Sequence, residues 1–291
     1  MVFGLHETCD GVRFGRLKFL KVDPHKFDYA RINHPEFPKG AQMLARVSVD
    51  AVDEVSATER AEEVIDEHLM ILNALCTVGV PSLIQVSRTD HVRASFSGKR
   101  IGKTVSGMAK LECYGHNRRM PLMGAELRAR LKNVVGARVS VRLRAKKCEF
   151  SDRILISFQF AGSACVDTHP ERSFLMFAIA LESLILGSNT HTELTDRLAT
   201  RTAHLIGRGA EGRKIVLKTT KDLYARRSKI VHAGEYGVPQ SQRDYIFMYC
   251  MAALSMLAAV PVFRKFKTNA ELEAWFAERT LEGPFKSRIK S

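Results

Sequence analysis

In the stretch Tyr224-Ala225-Arg226-Arg227-Ser228-Lys229-Ile230-Val231-His232-Ala233-Gly234, an arginine and a histidine stand five residues apart, with a glycine just beyond. An imidazole with a pKa of about 6.5 takes up and releases protons near neutrality. A guanidinium presents a planar fork of donors that fits phosphate oxygens and stabilises charge building up on them. Together the two side chains suit chemistry at a phosphate ester. His232 can equally be a cation at a helix C-terminus, where it is favoured electrostatically. Ser228, four residues before His232, can orient the imidazole or bind a phosphate, or can be an ordinary exposed helical serine.

Periodicity separates the two adjacent arginines. Leu223, Tyr224, Ile230 and Val231 form an apolar stripe, and Arg227 lies on it, four residues from Leu223 and from Val231. An arginine in such a place is costly unless paired or functional, which makes Arg227 the catalytic candidate. Arg226, between Asp222 and Lys229, falls on a charged face and reads as a contact to a nucleic-acid backbone. Tyr224 can stack on a base, although its place on the stripe also fits core packing.

From Arg197 to His232, ten Lys and Arg stand against Glu211 and Asp222. Arg213, Lys221 and Lys229 belong to this run and are candidate RNA contacts with Arg226. In the first half, Arg142, Arg144 and Lys146 can extend the track from one face of a strand. Glu182 interrupts an apolar helix between Leu181 and Leu184 and needs a partner. Arg197 or Arg201 on the next helix can supply one, giving a structural ion pair.

The elements that position these residues follow from pattern. Phe174–Leu186, Glu193–Ile206, Arg213–Val231, Arg243–Val260 and Ala270–Glu278 read as helices, with Thr190 a candidate cap for the second. Four to five helices on short connections make an antiparallel bundle. Tyr245–Phe263 carries no charge and approaches the length of a membrane span. Its Ala, Tyr, Ser, Cys and Met content fits a helix buried in the bundle better.

The first half reads as mixed. Met43–Val49, Val92–Phe96, Arg138–Arg144 and Ile154–Phe160 alternate as strands. Ser56-Ala57-Thr58-Glu59 reads as a capping box opening a helix that Gly79-Val80-Pro81 ends. Glu126–Val135 reads as a further helix. Small residues from Gly162 to Ala164 and the proline at Pro170 suggest a boundary. The expected fold is thus an α+β domain over 1–165, serving sensing or RNA positioning, followed by an all-α bundle over 166–291.

Composition narrows the partners. The 291 residues carry 45 Lys and Arg against 31 Asp and Glu, a formal charge of +14, which favours polyanions. Six cysteines, widely spaced, show no metal-ligand pairing and suit reduced thiols; no secretory signal opens the chain. A cytoplasmic protein without metal or cofactor is expected, and no membrane partner.

Arg227-Ser228-Lys229-Ile230-Val231-His232, preceded by Leu223-Tyr224, by Arg197-Leu198-Ala199 with Arg201, and by Ala180-Leu181-Glu182-Ser183-Leu184, resembles the R-(four to six residues)-H signature of HEPN domains, in their Apea-like branch. The resemblance covers about residues 170–285 and implies a HEPN-type helical bundle that forms a homodimer, bringing two motifs to one groove. It further implies metal-independent cleavage of RNA, with Arg227 and His232 catalytic and Ser228 accessory. Many members act in anti-phage defence or toxin–antitoxin systems, so an antitoxin or defence-system partner is implied as well. A non-catalytic RNA-binding and dimerisation module is the alternative.

Overall fold

The computed structural model describes residues 2–3, 5, 7–21, 43–77, 87–88, 95–101, 104–110, 123–145, 148–186 and 194–281. It divides into two compact units, Met1–Lys132 and Asn133–Ser291.

The first unit combines helix and sheet, as its alternating and capped segments predict. Strands β1 (Val2–Phe3), β2 (Arg13–Phe14), β3 (Leu17–Lys21), β4 (Met43–Arg46) and β5 (Ser87–Arg88) form one sheet in the order β2-β3-β4-β1-β5, all pairs antiparallel. Strands β6 (Ser95–Ile101) and β7 (Thr104–Lys110) form a separate hairpin. The start of the expected strand Val92–Phe96 lies outside the described residues, as do Gly79-Val80-Pro81. Helix α1 (Glu54–Thr77) buries Leu69, Ile71, Leu72, Leu75 and His68, and Phe14, Leu17 and Phe19 of the sheet are buried as well. Its cap is not the expected Ser56: Asp53 accepts from the Ser56 backbone N–H at 2.8 Å and from its hydroxyl at 3.1 Å. Asp53 takes the N-cap position, so the helix starts earlier than Ser56 would set it. Helix α2 (Gly124–Lys132) opens against the turn at Glu7–Cys9, where the Gly124 N–H donates to Thr8 Oγ1 at 2.9 Å. A Cβ at Gly124 would lie 2.0 Å from the Thr8 carbonyl oxygen, so only glycine fits.

Among its described residues the second unit is all helical: α3 (Val134–Arg142), α4 (Glu149–Val166), α5 (Pro170–Ile185), α6 (Leu194–Ile206), α7 (Gly209–Ala233), α8 (Gln240–Ala259) and α9 (Asn269–Leu281). The last five match the expected helices closely; Thr190 and Glu193 lie outside the described residues. The first two replace expected strands. In α3 the Asn133 side chain accepts from the Gly136 N–H at 2.7 Å, a cap that overrides the β-branched valines. The same cap divides the single helix expected over Glu126–Val135 into α2 and α3. In α4, Phe150, Ile154, Phe158 and Ala161 are buried at helical spacing, which a short apolar run leaves ambiguous on paper. Arg142, expected on a strand face, instead ends α3, donates to Ser151 Oγ at 2.8 Å and lies over the Phe150 ring.

The expected boundary near residue 165 coincides with the end of α4, and Pro170 begins α5 at its first turn, where its missing N–H costs nothing. The unit division falls earlier, at Lys132, because α3 and α4 pack within the bundle. Helices α4 and α5, α5 and α8, and α6 and α7 make the main pairings. The uncharged segment read as buried is α8, whose Met251, Ala253, Leu254, Leu257 and Ala258 are buried. Among the described residues, no helix is long and apolar enough to cross a membrane.

Candidate active site

Helix α7 carries the motif as one unbroken rod. Val216, Thr220, Leu223 and Tyr224 anchor it in the bundle, and Gly234, in the left-handed region at φ 63°, ends it. Arg227 turns toward α5, although Val231, at the far end of its expected apolar stripe, is exposed, and Arg226 is the more covered of the two arginines. Its Nε lies 3.2 Å from Glu182 Oε1 on α5, with the two side chains 29% and 26% exposed. Both of these atoms, and the Tyr224 hydroxyl, are sealed from solvent without reaching hydrogen-bond geometry. Burial, then the negative charge of Glu182, raises the Tyr224 hydroxyl pKa and holds it protonated. Tyr224 is therefore a core residue, its ring closed to base stacking.

His232 sits in the last turn of α7 and is exposed, as is Ser228. Five residues of regular helix turn the chain by roughly 140° and advance it by roughly 7.5 Å. Arg227 and His232 thus point to different sides of α7, the first into the bundle and the second into solvent.

The remaining candidates are mostly engaged within the chain. Glu182 does not pair with Arg197 or Arg201: those two arginines meet Glu273 of α9, Arg197 at 3.3 Å and Arg201 through two nitrogens. The inward turn of Arg227 leaves Glu182 to it. Arg226 is not a free, solvated cation. Its side chain is only 17% exposed, pairs with Glu235 at 2.8 Å and donates to the carbonyls of Tyr236 and Gly237. The left-handed turn at Gly234 folds the following loop back along α7, which sequence spacing does not encode. Lys221 pairs with Asp196 at 2.5 Å. Arg213 bonds the Gly209 carbonyl at 3.2 Å and packs against Gly207, where a Cβ would meet it at 2.7 Å. Lys229 stays exposed, 3.9 Å from Glu235.

Several positioning residues escape sequence reasoning. Glu273 on the last helix bridges two arginines of α6 and offsets one of their charges, a long-range contact with no local signal. Arg153 of α4, 7% exposed, donates to the Leu186 carbonyl at 2.8 Å, and Arg201 donates to the Ile185 carbonyl at 3.0 Å. Together they cap the C-terminus of α5, the helix that carries Glu182. An open cleft of about 580 Å³ lies along Asp196, Arg197, Arg201 and Glu273, but its lining includes neither Arg227 nor His232.

Among the described residues, no group of His, Cys, Asp and Glu is arranged to hold a metal ion, and Cys9, Cys76, Cys148, Cys165 and Cys250 form no disulfide. Compared with known proteins, the chain matches no family model, and no curated protein or solved structure is significantly similar to it.

Proposed function

We propose that the helical unit is a metal-independent endoribonuclease of the HEPN type, completed by a second copy of the chain. The observation that carries this reading is the placement of the motif. Arg227 and His232 lie near the end of a long helix, third counting from α5, and Glu182 of α5 meets Arg227 directly. In the cleavage step, the 2′-oxygen of RNA attacks the adjacent phosphorus and the bond to the 5′-oxygen breaks. His232 takes the proton from the 2′-hydroxyl and then gives it to the leaving 5′-oxygen. Arg227 stabilises the charge gathering on the phosphoryl oxygens. Because Arg227 and His232 of one chain diverge, a homodimer supplies the missing half. The resemblance extends the proposal to a cytoplasmic role in anti-phage defence or a toxin system, with an antitoxin or defence partner.

The divergence itself favours a second reading. With Arg227 neutralised by Glu182, the bundle also suits a non-catalytic module that binds RNA and dimerises. Labelled RNA incubated with the full chain in excess EDTA separates the two. The nuclease yields fragments ending in a 2′,3′-cyclic phosphate and leaves DNA, which lacks the nucleophile, intact. Intact RNA, or cleavage abolished by the chelator, contradicts the enzymatic reading.

A further inference from the structure

Beyond the motif, the loop from Gly234 to Val238 holds one side chain in an unusual setting. Tyr236 is 89% exposed, while the backbone on either side of it is fixed. Arg226 donates to the Tyr236 carbonyl at 3.2 Å and to the Gly237 carbonyl, and pairs with Glu235 at 2.8 Å. From α5, Glu171 accepts the Gly237 N–H at 2.9 Å. Gly234 and Gly237, at φ 63° and 81°, set turns that other residues rarely adopt. A single exposed apolar residue needs no explanation by itself. Here, however, a largely buried guanidinium and a carboxylate are committed to holding the backbone of an aromatic ring that touches solvent. The backbone that carries the ring is therefore held in place, four residues from His232, next to Glu235, whose carboxylate lies 3.9 Å from the exposed Lys229.

From this geometry we infer that Tyr236 is a base-stacking platform for single-stranded RNA, a subsite of the proposed ribonuclease on which this inference rests. A nucleotide offers what the setting lacks: a flat π-face for the phenol ring and a phosphate for the basic surface of α7. A duplex, whose bases are already stacked, cannot use the platform. Arg226 takes the role of a positioning residue, acting on RNA through Tyr236 rather than by touching phosphate.

The test is binding of a short fluorescent 2′-O-methyl oligoribonucleotide, which lacks the attacking hydroxyl, to the full chain. Tyr236→Ala weakens binding of the single strand by about 5- to 150-fold, the range for losing one stacked base. Tyr236→Phe stays within about twofold of wild type, because the ring face is kept. Tyr236→Trp shows indole quenching as the strand is added. Thermal unfolding of Tyr236→Ala matches wild type, since an exposed ring contributes little to the fold. Wild-type protein that binds the strand no better than Tyr236→Ala does overturns the platform alone. Wild-type protein that binds no single strand at all removes the ribonuclease reading and the platform together.

Discussion

Arg227 and Glu182 meet at 3.2 Å across two helices without a formed hydrogen bond, each about three-quarters covered. Pairs in this partly wet setting are worth about 1 kcal/mol or less, far below a fully buried pair. A double-mutant cycle of Glu182→Gln with Arg227→Ala, read by chemical denaturation, should return a coupling of that size. Zero coupling would mean that Glu182 does not hold the arginine. Arg226 makes the sharper stability prediction. Its bonds to Glu235, Tyr236 and Gly237 are charge-assisted and partly buried, so Arg226→Ala should destabilise the chain by about 1–3 kcal/mol. An unchanged unfolding midpoint would return Arg226 to the role its sequence position suggests, a solvated phosphate contact.

Between elements, the pattern was legible where helices are long and amphipathic. Leu223 and Tyr224 of the expected α7 stripe are buried while its Val231 is exposed, and Gly234 placed the C-terminal end of α7, whose start lies four residues before the expected Arg213. What failed was decided by contacts distant in sequence. Val139 and Val141 alternate like a strand, yet the Asn133 cap makes them helical. Glu182 and Arg201 looked like partners because they lie on adjacent helices, yet Arg201 reaches Glu273 on α9 instead. No local rule points to a partner that far along the chain.

In the first unit, α1 carries a titration that should be measurable. His68, 1% exposed, accepts the Arg16 N–H at 3.1 Å through Nε2 and packs edge-on against Phe14. Burial lowers its pKa to about 4, from an ordinary 6.5. The folded state therefore favours neutral imidazole. This contribution is fully present above pH about 6.5 and is lost as the pH falls toward 4, amounting to about 3 kcal/mol at roughly 1.4 kcal/mol per pH unit. Thermal unfolding between pH 7 and 4 should show this loss, and His68→Gln, which keeps an acceptor but cannot titrate, should flatten it. Equal pH profiles for the two proteins would refute the assignment.

For the whole molecule, the formal charge of +14 survives pairing within the chain, but it is not spread evenly over the 45 Lys and Arg. Arg197, Arg201, Lys214, Lys221, Arg226 and Arg227 all have acidic partners within the chain. Single-strand binding should still weaken as salt rises, with a slope set by few phosphates rather than by the full basic count. A composite site makes a stricter demand. Arg227→Ala and His232→Ala chains, each inactive alone, should recover about a quarter of wild-type activity when mixed, because half of the random dimers hold one complete site. No recovery on mixing would place the site within one chain.

The most direct test of the central claim is the rate of RNA cleavage in EDTA by wild-type, Arg227→Ala and His232→Ala proteins, each with its helical content verified by circular dichroism. Removing the proton carrier His232 should slow cleavage by about 10²- to 10⁴-fold. Removing Arg227 should cost about 10²- to 10³-fold, the effect of deleting one group that stabilises transition-state charge. Folded His232→Ala protein that cleaves at the wild-type rate would contradict the account.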